Sequence, residues 1–488
     1  MTKNRYNLVD EAWIPVATRG RVSLRQVFED SDLPALGGNP MQMIAVLKPL
    51  LAVAQAAATP RDDGEWLAMG AQGMAQKCLV YLKAHHDDFW LYGSRPFLQL
   101  EACTGAERKS YGTILPEVAS GNTTLVTGFQ IEPELDDAEK ALALLVELCL
   151  GLGGKKADSR LVLSSGYEKK ASACAGPALC YKGLLHSFLL GKNVIETVWF
   201  NMLTQEDIDS QKQWENGLGT PPWEEMPRGE NDETAVKLRA SLMGRLVPMA
   251  RFCLLEDEGI RFTEGIVHPD YQSFMVDPSM SMDASEKKPK MLWADPEKRP
   301  WRELPALLSF LDSQDVESGF LCLGLQKGVA RARKSGLESV GVWSGGVRVS
   351  SQAGEQFLSG GDDMVASEVW LACNDLSSTW FRAFSGAMGR LDKTASGLYS
   401  AVNGYWKATG MDRQNDDRAR AVSGRFWQMV EPLAQDIIRD CENSGAMEAL
   451  FRRCQAIASG LYDEACPHGT ARQFEQWARH RPFAWRKS

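Results

Sequence analysis

Residues 341–361 read GVWSGGVRVSSQAGEQFLSGG. Val347 and Val349 alternate with Arg348 and Ser350, the period-two pattern of a short strand with one apolar and one polar face. Small residues then surround one long amide, in Ser350, Ser351, Gln352, Ala353 and Gly354, before Phe357 and Leu358 resume the apolar pattern. The stretch predicts a hairpin with Gln352 at or near its tip. A flat, uncharged side chain lifted clear by residues of little bulk fits a narrow space such as the gap between two base pairs. The same composition also makes an ordinary surface turn.

Directly behind it, SGGDD at 359–363 reads as a flexible acidic joint, and the texture of the chain changes. From Met364 long helical patterns run almost to the end, broken near 408–412, 443–445 and 466–469. Three breaks predict four helices, an antiparallel four-helix bundle over 362–488. Ahead of it, 1–361 reads as a large, irregular, mixed globular domain, so the class expected is α+β.

The N-terminal part opens with a short strand and turn at 7–16, and Ser23 caps a short helix through Phe28. Residues 41–58 and 65–85 carry apolar residues at helical spacing and predict two packed helices. RPFLQ at 95–99 reads as a turn into an extended segment. Residues 109–130 form a long loop rich in Gly, Ser and Thr that contains Phe129. Residues 138–150, which include ALALLVELCL, are a helix by pattern that stops at Gly151, Leu152, Gly153 and Gly154. Those glycines also let a backbone approach a ligand closely, and a basic window starts at once with Lys155. Residues 193–203 and 245–255 predict strands, 216–233 and 277–290 loops, and 304–312 a helix. A second basic window, 327–334, holds Lys327, Arg331, Arg333 and Lys334 without an acid. Both windows read as solvated faces or as local patches inside a larger assembly.

The totals narrow the classes. A net charge of −9 and a pI near 5.4 argue against a surface coated for free nucleic acid. Eleven cysteines, an odd number without a CxxC pair, predict reduced and mostly buried thiols rather than disulfides or structural zinc. The first residues lack the apolar core of a secretory signal, and 43–58 is interrupted by Lys48 and Pro49, so a cytoplasmic protein without a membrane span is expected. Phosphate-loop, nucleophile-elbow and HExxH patterns are missing. The SxxK match at 285–288 lies in a charged loop with nothing to desolvate its lysine. The expectation is a protein that is not an enzyme and uses no metal or cofactor.

Taken together these segments resemble the CasA family, the large subunits of the type I-E CRISPR Cascade complex. NLVDEAWIPV at 7–16 is similar to the family's N-terminal signature, and RPFLQ stands where the family has Pro-Phe-Met-Gln. GLGG at 151–154 matches its glycine loop. SGGVRVSSQAG at 344–354 is similar to the stretch carrying its glutamine wedge, with one residue more between glycines and glutamine. The resemblance implies an N-terminal domain at the 5′ end of a CRISPR RNA that recognises the protospacer-adjacent motif of target double-stranded DNA from the minor groove. It implies a wedge that parts the first base pairs, and a C-terminal bundle that helps hold displaced DNA. The implied partners are the backbone, small and 5′-handle-binding subunits and a separate helicase-nuclease. Carried over by position, Gly151, Gly153 and Gly154 with Lys155 form the groove loop. Gln352, between Ser351 and Ala353, is the wedge, and Phe129 belongs to a loop meeting the RNA handle or another subunit. No lysine occupies 266–269, where the motif-reading lysine would fall, and His268 is the stand-in. A scaffold contacting only protein and RNA is the alternative, favoured by the acidic pI.

Overall fold

The structure, a computed structural model, describes residues 4–115, 134–153, 175–229, 232–269, 271–273, 277–285, 287–312, 319–349, 363–410 and 415–482. The chain divides into two compact units, Met1–Pro300 with Asp315–Glu368, and Trp301–Gln314 with Val369–Ser488. Helices and small two- and three-stranded sheets are mixed.

The first unit is built around the helix Pro40–Ala58. Asn39 accepts from the Gln42 amide and the Gln42 side chain returns the bond, with Pro40 in the first turn, so the start is fixed by its own sequence. The helix is apolar on every side and fifteen of its nineteen residues are buried, as its composition requires. By length and composition it is long and apolar enough to cross a membrane, contrary to the sequence reading, but here it is packed inside the fold. Its two buried polar groups are satisfied. Lys48 Nζ donates to Asp277 at 2.6 Å and to the Arg245 carbonyl at 2.9 Å, while the Gln55 amide exchanges bonds with the backbone of Leu203.

The next helix, Asp63–Ala84, is capped by Asp62 and stacks Trp66 on Trp199 with ring centroids 3.8 Å apart. Trp199 lies on the helix Val194–Asn201, where the sequence predicted a strand. The β-branched run at 194–198 suggested extension, but Asn193 caps the Glu196 amide and the tryptophan stack rewards the helical turn. The second expected strand is half right. Met243–Leu246 is helical, and the strand is Arg251–Glu256, antiparallel to Gly259–Glu264, which also pairs Arg108–Lys109. Gln99 of RPFLQ is buried, donating to the Leu91 carbonyl and accepting from the Leu255 amide, and so ties that sheet to the strand Trp90–Tyr92.

A three-stranded sheet has Ser339–Val347 in its middle, between His186–Leu190 and Met364–Ala372. Trp343 faces Phe188 and Gly345 faces His186 across the antiparallel pair. The strand therefore lies ahead of the alternating residues 347–350 that were read as the strand. Its middle position buries both faces, which removes the alternation the sequence was searched for. Likewise Met364–Ala372 is a strand, not the start of the helical region. Three of the four cations in the basic window at 327–334 are paired. Arg331, 1% exposed, is held by Asp63 and Asp207, while Lys327 pairs with Asp207 and Lys334 with Asp63. Within 277–290 a short strand, Ser281–Asp283, interrupts the expected loop, and 304–312 is a four-residue helix, Leu304–Leu307, followed by a 3-10 turn.

The second unit carries the helices Ser378–Thr409, Asn415–Val430, Ala434–Asp440, Ser444–Ala465 and Ala471–His480. Ser377 caps the first, and Gly410 at φ 83° ends it. Pro432, in the turn Glu431–Leu433, makes a break the sequence reading passed over. The ten described cysteines are free, and all but Cys180 are buried.

Candidate nucleic-acid interface

The helix Asp137–Leu150 starts from a reciprocal cap between Asp136 and Glu139 and delivers the chain to Gly151. Gly151 has φ −50°, a conformation open to any residue, so its lack of a side chain is a matter of space. A Cβ there would stand 2.7 Å from the Glu147 carbonyl oxygen and 3.2 Å from Arg251 Cγ. Arg251, 1% exposed, fills that space. One of its nitrogens donates to the Leu152 carbonyl and another to the Ala250 carbonyl, and the carboxylates of Glu147 and Glu264 lie 3.6 and 3.8 Å away. The start of the glycine stretch is thus clamped by a buried arginine that lies near two carboxylates. Gly154 and Lys155 lie outside the described residues, as does Phe129.

The chain re-enters at 175 beside the same spot. Gly176 N donates to the Gly151 carbonyl at 2.7 Å, and Ala178 N to the Cys149 carbonyl at 3.3 Å. A few residues on, the Lys182 carbonyl accepts from Val349 N at 3.1 Å. Gly183 sits at φ 88°, and a Cβ on it would overlap the Val347 carbonyl oxygen at 1.7 Å, so only glycine fits there. Arg348 N donates to the Asp363 carbonyl at 2.9 Å, and the Arg348 guanidinium reaches the fully buried Asp363 carboxylate at 3.1 Å. Val349 and Asp363 are therefore the two feet of the loop that contains Ser351, Gln352 and Ala353, which themselves lie outside the described residues. The segment 176–184 holds the foot of the glycine stretch at one end and the foot of the glutamine loop at the other.

His268 is half-buried near the glycine stretch. Its Nε2 donates to the Pro248 carbonyl at 2.6 Å, its ring lies against Gly244, and its Nδ1 has no partner among the described residues. Burial, with the nearby Arg245 charge, lowers its pKa to about 3, and burial lowers that of His186 to about 4. His268 is therefore a fixed neutral ring, unlike a mobile lysine cation. It borders a cavity of about 450 Å³ together with Gly176, Tyr181, Arg245, Arg251 and Tyr271.

Both folded histidine values lie below the ordinary 6.5, so between them the unfolded chain binds protons that the folded chain refuses. Stability is complete above about pH 6.5 and falls on acidification, each histidine contributing up to about 1.4 kcal/mol per pH unit. Melting temperatures from pH 7 to 4.5 should fall less steeply for His268→Gln than for the wild type. Parallel slopes would contradict this reading.

Arg251, Glu147 and Glu264 escaped the sequence reading, and their only signal is a lone charge within an apolar run, which must find a partner when buried. Asp363, expected in a flexible acidic joint, is instead buried and held by Arg348.

A family model described as CRISPR-associated protein Cse1 matches residues 7–461. A Thermus thermophilus protein described as CRISPR-associated protein CasA/Cse1 is 28% identical over 281 residues, covering 53% of this chain and 51% of the relative, so the chain spans about half the length of that curated relative. A crystal structure of Thermus thermophilus CasA shares the fold at TM-score 0.75 and 19% identity, over 98% of both chains. Thermobifida fusca Cse1 matches at TM-score 0.73 and 18% identity over 98% of this chain and 96% of that one. A chain of a structure titled CRISPR RNA-guided surveillance complex matches at 0.73 and 16% over 98% of both.

Proposed function

Since the chain belongs to the CRISPR-associated protein Cse1 family, we propose that it is the non-enzymatic large subunit of a type I-E surveillance complex. In that role it recognises the protospacer-adjacent motif of duplex DNA from the minor groove, parts the first base pairs and recruits a separate helicase-nuclease. Residues 151–155 are the groove loop, Gln352 with Ser351 and Ala353 the wedge, and Phe129 a contact to the RNA handle or a neighbouring subunit. His268 lines the motif site as a neutral ring. One structural relative comes from a CRISPR RNA-guided surveillance complex, which supports CRISPR RNA and other subunits as partners.

One observation carries the reading: Gly151, which opens the glycine stretch, and Val349, which precedes the residues around Gln352, are both hydrogen-bonded to the single segment 176–184. A motif reader and a wedge must act on adjacent base pairs, and a shared rigid anchor gives them a fixed spacing. Sequence is then left to base pairing, with the protein reading only a short motif. The minor groove offers a degenerate pattern, which suits a permissive motif. Insertion costs a few kcal/mol of unstacking, offset by the growing heteroduplex.

In the assembled complex, Gln352→Ala should leave assembly intact and slow opening of relaxed duplex on the order of tenfold, about 1.4 kcal/mol. Opening at the wild-type rate would remove Gln352 from the wedge role. The acidic net charge favours the scaffold reading instead, in which crosslinks from position 352 reach RNA or protein and never target DNA.

A further inference from the structure

Tyr181 leaves 40% of its surface to solvent, one of the few large apolar side chains among the described residues to do so. It is not loose. Its hydroxyl meets that of Tyr271 at 2.7 Å, its ring centroid lies 5.0 Å from that of Trp293 and 6.0 Å from that of Tyr271, and Lys182 Nζ stands 5.8 Å from the ring. A rigid aromatic cluster with one exposed ring and an adjoining cation is the composition of a stacking platform for an unpaired base.

Tyr181 and Tyr271 border the cavity of about 450 Å³ described above, within the size range of sites that enclose a small organic group. Two polar atoms of residues lining it lack partners among the described residues, Arg245 Nε and His268 Nδ1. Buried polar atoms without partners are rare and ask for a ligand or water. Because His268 gives its Nε2 hydrogen to the Pro248 carbonyl, Nδ1 is an acceptor, whereas Arg245 Nε is a donor. A donor and an acceptor on residues lining one cavity suit the edge of a nucleobase, which carries both. The position fits as well, since Tyr181 lies in the segment between Gly176, bonded to the glycine stretch, and Lys182, bonded to the foot of the glutamine loop.

From this geometry we infer that the cavity receives one unpaired nucleotide of the target DNA, extruded beside the motif when the duplex is parted, with its base stacked on Tyr181 and its edge met by Arg245 and His268. The inference rests on the DNA-opening function proposed above. Stacking recovers part of the cost of unpairing, and Lys182 complements the phosphate.

The test uses the guide-RNA complex assembled with the full chain and duplexes carrying 5-iododeoxyuridine singly at each position beside the motif. Long-wavelength irradiation should give a crosslink that peptide mapping places at Tyr181, from one position and only on motif-bearing duplex. Tyr181→Leu should lose that crosslink and slow opening on the order of tenfold while keeping the motif-dependent band shift, and Tyr181→Phe should restore opening. Motif-dependent band shifts without a crosslink at 181 from any position would overturn the inference and leave the DNA-reading function standing. Band shifts indifferent to the motif would overturn both. Loss of the crosslink to excess deoxynucleoside monophosphate, with the band shift intact, would show a free nucleotide to be the occupant and overturn it as well.

Discussion

Replacing Arg251 by Met is expected to destabilise the first unit by about 3–5 kcal/mol and to abolish motif-dependent binding of the assembled complex. The guanidinium is buried near Glu147 and Glu264 and donates to the Leu152 carbonyl, so its loss removes a buried positive charge from beside two carboxylates and a donor from the glycine stretch. The two effects separate. Adding Glu264→Gln removes one stranded charge and should recover part of the stability, measured by urea unfolding. Motif discrimination should stay lost, because the guanidinium that donates to the Leu152 carbonyl is still missing. A single variant of wild-type stability, or a double variant that regains discrimination, would contradict the clamp.

Lys48→Met should cost a similar 3–5 kcal/mol at pH 7, because it strands Asp277 in the interior. Burial pushes the Asp277 acid up, but the Lys48 charge and hydrogen bond and two bonds from Ser279 outweigh it and hold the carboxyl well below the usual range. In the wild type this contribution is present above the ordinary carboxylate pKa and is lost as pH falls through the lowered one. Without Lys48 the carboxyl should titrate above its ordinary value, so the variant's deficit should shrink between pH 7 and 5, and Lys48→Met with Asp277→Asn should be more stable than Lys48→Met alone. A deficit independent of pH would show that the pair is not the cause. The pair also reaches the interface. Ser279 Oγ contacts His186 Nδ1 at 2.8 Å, and His186 Nε2 donates to the Ala178 carbonyl at 2.6 Å, so the central helix is linked to the segment beneath both loops.

What the sequence disclosed follows from the range of the forces involved. The helices Pro40–Ala58 and Asp137–Leu150 were legible because their apolar pattern is local to the segment, although the caps Asn39 and Asp136 that fix their starts were not read. The strand Ser339–Val347 was misplaced because both its faces are buried, and Val194–Asn201 because Trp199 finds its partner Trp66 far away in sequence. The glycine stretch was visible as composition, but its reason for being glycine, the bulk of Arg251, comes from a strand far along the chain. The lone His268 offered no sign that the Pro248 carbonyl pins it as a neutral ring. The basic window at 327–334 looked free for a partner because Asp63 and Asp207, which pair with Lys327, Arg331 and Lys334, are distant in sequence.

The central claim is that this chain reads a motif in duplex DNA. The most direct measurement is a band shift of the reconstituted guide-RNA complex, with and without this chain, on duplexes that share one protospacer and differ only in the flanking motif. Binding that depends on the motif and requires this chain is the result expected. Equal binding to all flanks, or motif preference that persists without the chain, would contradict it and leave a scaffold.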